Sequence, residues 1–361
     1  MVGKLTLALD AMGGDAGAPM VVEGAAIAMA EDPDLHIIFY GKEDTVRPLV
    51  DAYAALSGKV EIIHTDDVVL AEDRPSHAVR RGRNSSMGMA VRAVCDGTAQ
   101  VAVSAGNTGA LMALAKILLR MIPGIDRPAL ASLFPTLQGE SVMLDLGANV
   151  ECSEENLVQF ALMGAAFART VLGLERPRVA LLNIGSEDLK GNETVKNAGA
   201  MLRGTTLPME FVGFTEGDAI GMGGNDVIVT DGFTGNVALK TAEGTANLIS
   251  EMLSRAFRAS PFSMLGYFLI SKGLKSLETH LDSNNHNGAV FLGLNGLVVK
   301  SHGGASAGGF ATAIRHAVDM ARHDLTNLIA EDLKNFERHS DEPDQDEPAA
   351  EAENTAAGVP Q

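Results

Sequence analysis

The sequence predicts an α/β protein: one large, mostly parallel sheet with helices on both sides. Ten short apolar runs rich in β-branched residues alternate with helical stretches, the pattern of strand–helix–strand units. Several runs lack inside–outside alternation, Val179-Ala180-Leu181-Leu182 and Val227-Ile228-Val229 among them, as strands buried on both faces must. No Pro/Ser-rich linker interrupts 1–338, so a single catalytic unit is expected there, followed by a loose tail over 339–361.

In chain order, strands are expected at 4–9, 35–40, 59–64, 100–104, 129–134, 140–146, 178–184, 210–214, 226–230 and 297–300. Among the helices, one should run from Asn107 to Met121 and stop at Pro123-Gly124. Another should span Glu154–Leu172 and end at Gly173, and a third should run unbroken from Phe310 to Phe336. A basic, apolar excursion occupies about 252–285. From Met252 to Leu277 it holds Arg255, Arg258, Lys272 and Lys275 with no acid, around the run Pro261-Phe-Ser-Met-Leu-Gly-Tyr-Phe-Leu-Ile270. That run is too short to span a bilayer and suits an interfacial segment or a protein contact.

Composition narrows the function. With 46% hydrophobic and 20% charged residues, the 361-residue chain is neither disordered nor fibrous. A net charge of −18 argues against nucleic acid as a partner, since binding there depends on Lys and Arg replacing counterions. From Asp341 to Gln361 there are seven acids and no Lys or Arg, so the tail should stay solvated. Cys95 and Cys152 are too few for a disulfide framework or a zinc site, and neither a signal peptide nor a membrane span is evident. A cytoplasmic location is expected, with no metal and no cofactor.

Chemistry should sit where the strands end. Glycine with small polar residues follows five of them: Asp10-Ala-Met-Gly13-Gly14-Asp15, Ser104-Ala-Gly-Asn107-Thr108-Gly-Ala-Leu111, Gly147-Ala-Asn149, Gly185-Ser-Glu-Asp-Leu-Lys190-Gly-Asn-Glu193 and Asp231-Gly-Phe-Thr234-Gly-Asn236. In an open parallel sheet, such loops converge on one crevice at the carboxyl edge. Glycine allows backbone N–H groups to approach an anion, and a helix N-terminus adds partial positive charge, so a phosphate or similar oxyanion fits. Neither a P-loop nor a G-x-G-x-x-G is present, which weakens ATP and NAD. Asp10, Gly13, Gly14, Asp15, Ser104, Asn107, Thr108, Asn149, Asp231 and Thr234 are the candidate binding residues, joined by Ser85 and Ser86 of Asn84-Ser-Ser-Met87.

No G-x-S-x-G elbow, H-E-x-x-H motif or Cys–His pairing offers a nucleophile. That absence has a meaning if inorganic phosphate is the nucleophile, because it is already ionised near neutrality. Such an enzyme needs donors for phosphate, donors for a carbonyl oxygen and tight alignment. Lys190 is a candidate for a phosphate or oxyanion role. At Asn236, helix capping competes with oxyanion donation, and at His302 an acid/base role competes with a structural one. Arg80, Arg81 and Arg83 are placed to steer an anionic substrate.

These loops, together with Gly124-Ile-Asp-Arg-Pro-Ala-Leu130, Leu144-Asp-Leu-Gly-Ala-Asn149, Lys190-Gly-Asn-Glu193, Thr230-Asp-Gly-Phe-Thr-Gly-Asn-Val237 and His302-Gly-Gly304, resemble the PlsX-type phosphate acyltransferases of bacterial phospholipid synthesis over about 1–337. The resemblance implies reversible transfer of a long-chain fatty acyl group from acyl carrier protein to inorganic phosphate. Acyl phosphate would then feed a membrane-bound glycerol-phosphate acyltransferase. It also implies a three-layer α/β/α fold akin to the isocitrate/isopropylmalate dehydrogenases, a homodimer, and peripheral attachment to the inner face of the membrane. Lys190 and Asn236 match its catalytic lysine and asparagine. Its hydrophobic tip matches the excursion, where Phe262, Leu265 and Phe268 would meet lipid. Because carrier protein is acidic, Arg255, Arg258, Lys272 and Lys275, with Arg80, Arg81 and Arg83, are expected to form its docking patch. Three alternatives are a short-chain acyl-CoA phosphate acyltransferase, a metal- and NAD-dependent β-decarboxylating dehydrogenase using Asp226 and Asp231, and a non-catalytic membrane scaffold.

Overall fold

The computed structural model describes residues 5–340 apart from Thr206 and Ser283. The chain runs through β1 (Thr6–Asp10), α1 (Ala18–Glu31), β2 (His36–Gly41), α2 (Glu43–Asp51), β3 (Val60–His64), α3 (Pro75–Arg81), α4 (Ser86–Cys95), β4 (Val101–Ser104) and α5 (Thr108–Leu119). It turns back in the hairpin of β5 (Ala129–Thr136) and β6 (Gly139–Leu144), then forms α6 (Glu154–Leu172), β7 (Arg178–Leu182), α7 (Glu193–Leu202), β8 (Glu210–Thr215) and β9 (Val227–Val229). A helical pair, α8 (Gly232–Arg258) and α9 (Pro261–Leu281), precedes β10 (Ala289–Leu292), β11 (Leu297–Lys300), α10 (Ala307–Arg322) and α11 (Leu325–Ser340).

All ten expected runs are strands, and β10 makes an eleventh. The helix expected over 310–336 is instead two, because Asp324 takes a left-handed φ of 51° between α10 and α11. α6 has the expected bounds: Ser153 caps it by accepting from the Asn156 N–H, and Gly173 ends it at φ 67°. α11 continues through Ser340, past the expected boundary at 338, and 341–361 lie outside the described residues.

The sheet order is β3-β2-β1-β4-β11-β10-β5-β6-β9-β7-β8. Each face carries its own core, which is why the strands show little alternation. β1 sends Leu7 and Leu9 to a core shared with Val21 of α1, Phe160 of α6 and Ile314 of α10. It sends Ala8 to a second core with Val91 of α4 and Leu114 of α5. The result is three layers, α/β/α.

Strand direction corrects one expectation. β3, β2, β1, β4 and β11 are mutually parallel, and so are β6, β9, β7 and β8. Between them lie three antiparallel pairings, β11 with β10, β10 with β5, and β5 with β6, so the second group runs opposite to the first. The loops after β1 and β4 therefore leave one edge, and those after β6, β7 and β9 leave the other. The five loops do not share an edge. Those after β4, β6 and β9 line one cavity over a face of the sheet instead.

Candidate active site

At the first edge, Asp10 organises the loops. Its buried carboxylate accepts from Ser104 Oγ (2.6 Å) and the Met12 N–H (3.2 Å), while Ser104 Oγ accepts from the Gly106 N–H (3.1 Å). Burial pushes the Asp10 carboxyl above its ordinary range, against the pull of the Ser104 and Ser86 hydroxyls and the Met12 and Gly13 amides. Gly13 is required here, since a Cβ would lie 2.7 Å from both Asp10 Oδ2 and the Gly106 nitrogen. The exposed Asp15 joins the loop after β11 through its N–H, which donates to the Gly303 carbonyl (2.9 Å).

Several expected binding residues are occupied by the fold. Ser85 caps α4, accepting from the Gly88 N–H and donating to the Gly82 carbonyl, and Ser86 is buried beside it. Asn107 caps α5 and donates to the Ala71 and Asp73 carbonyls. Asn149 is buried and donates to Asp145 and to the Pro128 carbonyl. Asp231 caps α8, accepting from both the N–H and the hydroxyl of Thr234 at 2.8 Å. Asp226 pairs with Arg178 (2.9 Å), so Asp226 and Asp231 do not form a metal site.

At the opposite edge, Asp145 does for its loops what Asp10 does for the first. Its carboxylate accepts from the N–H groups of Leu130, Gly147, Ala148 and Asn149 and from Asn149 Nδ2, at 2.7 to 3.1 Å. Burial holds its carboxyl above the usual range in spite of these donors. Gly232 and Gly235, in the first turn of α8, pack directly on this loop. Asn236 is thereby set beside Gly147, whose Cβ would lie 3.6 Å from that of Asn236.

Between α5 and α8 the sheet face is uncovered, and a cavity of about 730 Å³ opens there. Thr108 and Gly109 enter from the first edge, and Gly147, Ala148, Phe233 and Asn236 from the second. Leu130, Phe134 and Phe291 form an apolar floor, and Leu239, Ala242 and Ala246 extend one wall along α8. Its polar lining includes Asn236 from the second edge and His302 and Lys300 from the first. The Gly304 N–H donates to His302 Nδ1 (3.1 Å), so the proton of the neutral ring sits on Nε2.

A second cavity of about 630 Å³ adjoins it, with Val150 and Phe233 on both walls. It is lined by Cys152, Asn183, Asn192, Thr194, Thr230 and Asp231 among others. Lys190 is exposed and lines neither cavity, although Gly191 and Asn192 beside it line the second. Cys152 is half-buried, and burial with the nearby charges of Asp145 and Asp231 pushes its thiol up to about 11.

Sequence reasoning missed Lys300 and Asp145. Both stand inside motifs that point to the site, one closing the apolar run Leu297-Val-Val-Lys300, the other following Leu144. A charged residue at the end of a doubly buried strand is the readable signal. Among the described residues Lys300 is the one buried lysine, and no group of His, Cys, Asp and Glu is arranged to hold a metal ion.

The excursion is the helical pair. α8 is a single 27-residue helix, about 40 Å long, joining Asn236 at its start to Arg255 and Arg258 at its end. Phe257 and Tyr267 pack edge to face with centroids 5.3 Å apart, while Phe262 (87%), Phe268 (75%) and Leu269 (75%) are exposed. The Leu265 side chain lies outside the described residues. Arg255 pairs with Glu251 on its own helix (2.7 Å), and Arg258, Lys272 and Lys275 are exposed. Among the described residues no helix is long and apolar enough to cross a membrane.

A large cleft with an apolar floor and amide, imidazole and ammonium groups in its wall, carried on a three-layer α/β/α frame, is the candidate active site of an α/β enzyme. Residues 5–328 match the family model described as fatty acid synthesis protein, and the chain belongs to that family. Two curated relatives are both called phosphate acyltransferase. That of Parvibaculum lavamentivorans is 56% identical over 92% of this chain and 92% of its own. That of Rhodospirillum centenum is 54% identical over 91% and 93%. In fold, the chain is similar to the EutD phosphotransacetylase from Staphylococcus aureus, with a TM-score of 0.58 at 17% identity over 89% of this chain and 96% of that one.

Proposed function

We propose that this enzyme is a phosphate acyltransferase that moves a long-chain fatty acyl group from acyl carrier protein to inorganic phosphate. A phosphate oxygen attacks the thioester carbonyl, the C–S bond breaks, and the thiolate leaves and takes up a proton. The products are acyl phosphate and the free carrier thiol. The observation that carries this reading is the cleft itself. Its apolar floor and its wall along α8 suit an alkyl chain, and the polar groups in its lining suit the reacting carbonyl and phosphate. Asn236 donates to the developing oxyanion, and His302 Nε2–H donates a hydrogen bond to the leaving sulfur, which takes its proton from water. Lys190 is assigned to catalysis on its motif and its loop. The high thiol pKa of Cys152 supports direct transfer with no acyl-enzyme.

The apolar end of the helical pair is assigned to a membrane surface and to pairing with a second copy. Phe262, Phe268 and Leu269 at the tip would meet lipid, and Leu248, Ile249 and Met252 lower down would meet the partner helix. Acyl phosphate made there is delivered where a membrane glycerol-phosphate acyltransferase uses it. Carrier protein is assigned to Arg80 and Arg81, exposed in the last turn of α3, which packs on α5 at the cleft mouth, to Arg83 just beyond it, and to Arg258, Lys272 and Lys275.

Hydroxylamine trapping tests the reading. The protein with palmitoyl carrier protein and phosphate should yield hydroxamate and free thiol far faster than with acetyl-CoA and phosphate. Faster turnover of acetyl-CoA would make it a short-chain enzyme of the same chemistry. Pelleting with anionic vesicles, lost on Phe262→Ser/Phe268→Ser, tests the tip. Retained pelleting would remove the tip from membrane attachment.

A further inference from the structure

The geometry points to Lys300 as the residue that holds the attacking phosphate in the cleft. This rests on the phosphate acyltransferase reading and adds a binding residue to it. Lys300 ends β11, is 8% exposed, and lines the same cavity as Asn236, Thr108 and His302. Its ammonium has three protons to donate. The Ala105 carbonyl (3.3 Å) and the Ser301 carbonyl take two, and the third has no partner among the described residues.

The other charges on the cavity wall do not serve this purpose. Lys240, one turn beyond Asn236 on α8, is half exposed and already paired with Glu243 at 2.7 Å. Lys300 makes no ion pair among the described residues. Asp10 and Asp15 stand near enough to favour its charge, but neither pairs with it directly, and a buried ammonium with an unused proton is kept where a ligand supplies the direct contact. A phosphate dianion entering the cleft beside Lys300 would do so. It would accept from the free N–H of Lys300 while the two carbonyls fix the ammonium in place.

The groups facing Lys300 are Asp10 at the end of β1, Asp15 in the following loop, and Lys240 across the cleft. The two carboxylates favour the charged lysine, while burial and Lys240 oppose it, and burial wins, taking the ammonium down to about 8. Near neutrality the lysine is still mostly charged but weakly held, so a bound anion tips the balance. Lys190, exposed and outside both cavities, is left to the carrier side of the reaction.

Two measurements test this. The first uses unmodified protein: reductive methylation at pH 8, read by peptide mass spectrometry, with inorganic phosphate or chloride at equal ionic strength. Phosphate should slow modification of Lys300 at least fivefold and leave Lys190 and Lys272 unaffected. The second is Lys300→Met, which should raise the KM for phosphate at least tenfold and change that for palmitoyl carrier protein less than threefold. A purely structural lysine would lower stability without this split. Methylation of Lys300 indifferent to phosphate, or a folded Lys300→Met variant with an unchanged phosphate KM, would overturn the assignment. In that case turnover by the unmodified enzyme would leave the reaction itself standing. Should the variant not fold, protection from methylation decides alone, and that result does not depend on turnover.

Discussion

Gly235 lies so close to Asp145 that a Cβ added to it would stand 2.0 Å from the Asp145 backbone carbonyl oxygen. The obstacle is main chain, and Asp145 is itself held by five N–H donors, so neither side can yield cheaply. Gly235→Ala should therefore lift the first turn of α8 and cost about 3 kcal/mol of stability. Asn236 would move with it, so kcat should fall on the order of a hundredfold. Gly244→Ala in the same helix, where an added Cβ meets nothing within 4 Å, is the control and should gain up to ~1 kcal/mol. Equal unfolding midpoints for the two variants would refute the packing argument.

Cys152 lines the second cavity, yet its thiol, pushed up to about 11, is ionised only to roughly one part in 3,000 at pH 7.5. Cys152→Ala should keep turnover within threefold, and iodoacetamide at that pH should label the exposed Cys95 first. An acyl adduct on Cys152 in quenched turnover samples would replace direct transfer with a two-step mechanism.

Asn236 and Lys190 are to be separated by kinetics. Asn236 lines the cleft, and removing an oxyanion donor there should lower kcat about a hundredfold. Lys190→Ala should lower kcat/KM for the carrier substrate more than tenfold. A loss within threefold, less than ~1 kcal/mol, would take Lys190 out of the mechanism.

Local signals carry much of this architecture. The bounds of α6 are legible because Ser153 and Gly173 mark its two ends, and the doubly buried strands are legible because their apolar runs do not alternate. Strand direction is not local. It is set by pairings such as Val290 with Ala131, between segments far apart in sequence. Each glycine loop can therefore be read singly, while the fact that Thr108 and Asn236 face each other across a sheet surface depends on that reversal. The same limit hid the difference between polar residues that hold loops together, such as Asn107 and Asn149, and those left to line the cleft.

The pH dependence of stability should carry the signature of Lys300. Its ammonium titrates near 8 in the folded protein and at an ordinary 10.5 when unfolded, with burial as the main cause. Below about pH 8 both states are protonated, and the cost of burying the charge is present in full. Between pH 8 and 10.5 the unfolded chain holds more protons than the folded one, so rising pH favours folding. Above that window both are neutral and the cost is gone. The gain across it is about 3 kcal/mol. Tyr40, pushed up to about 12, and Cys152 titrate nearby, but they do so equally in a Lys300→Met variant and cancel in the difference. Urea unfolding at a series of pH values should show the unmodified protein gaining on Lys300→Met from pH 8 to 10.5. Parallel curves would mean that the lysine reaches water, and that no charge is waiting in the cleft for a phosphate to match.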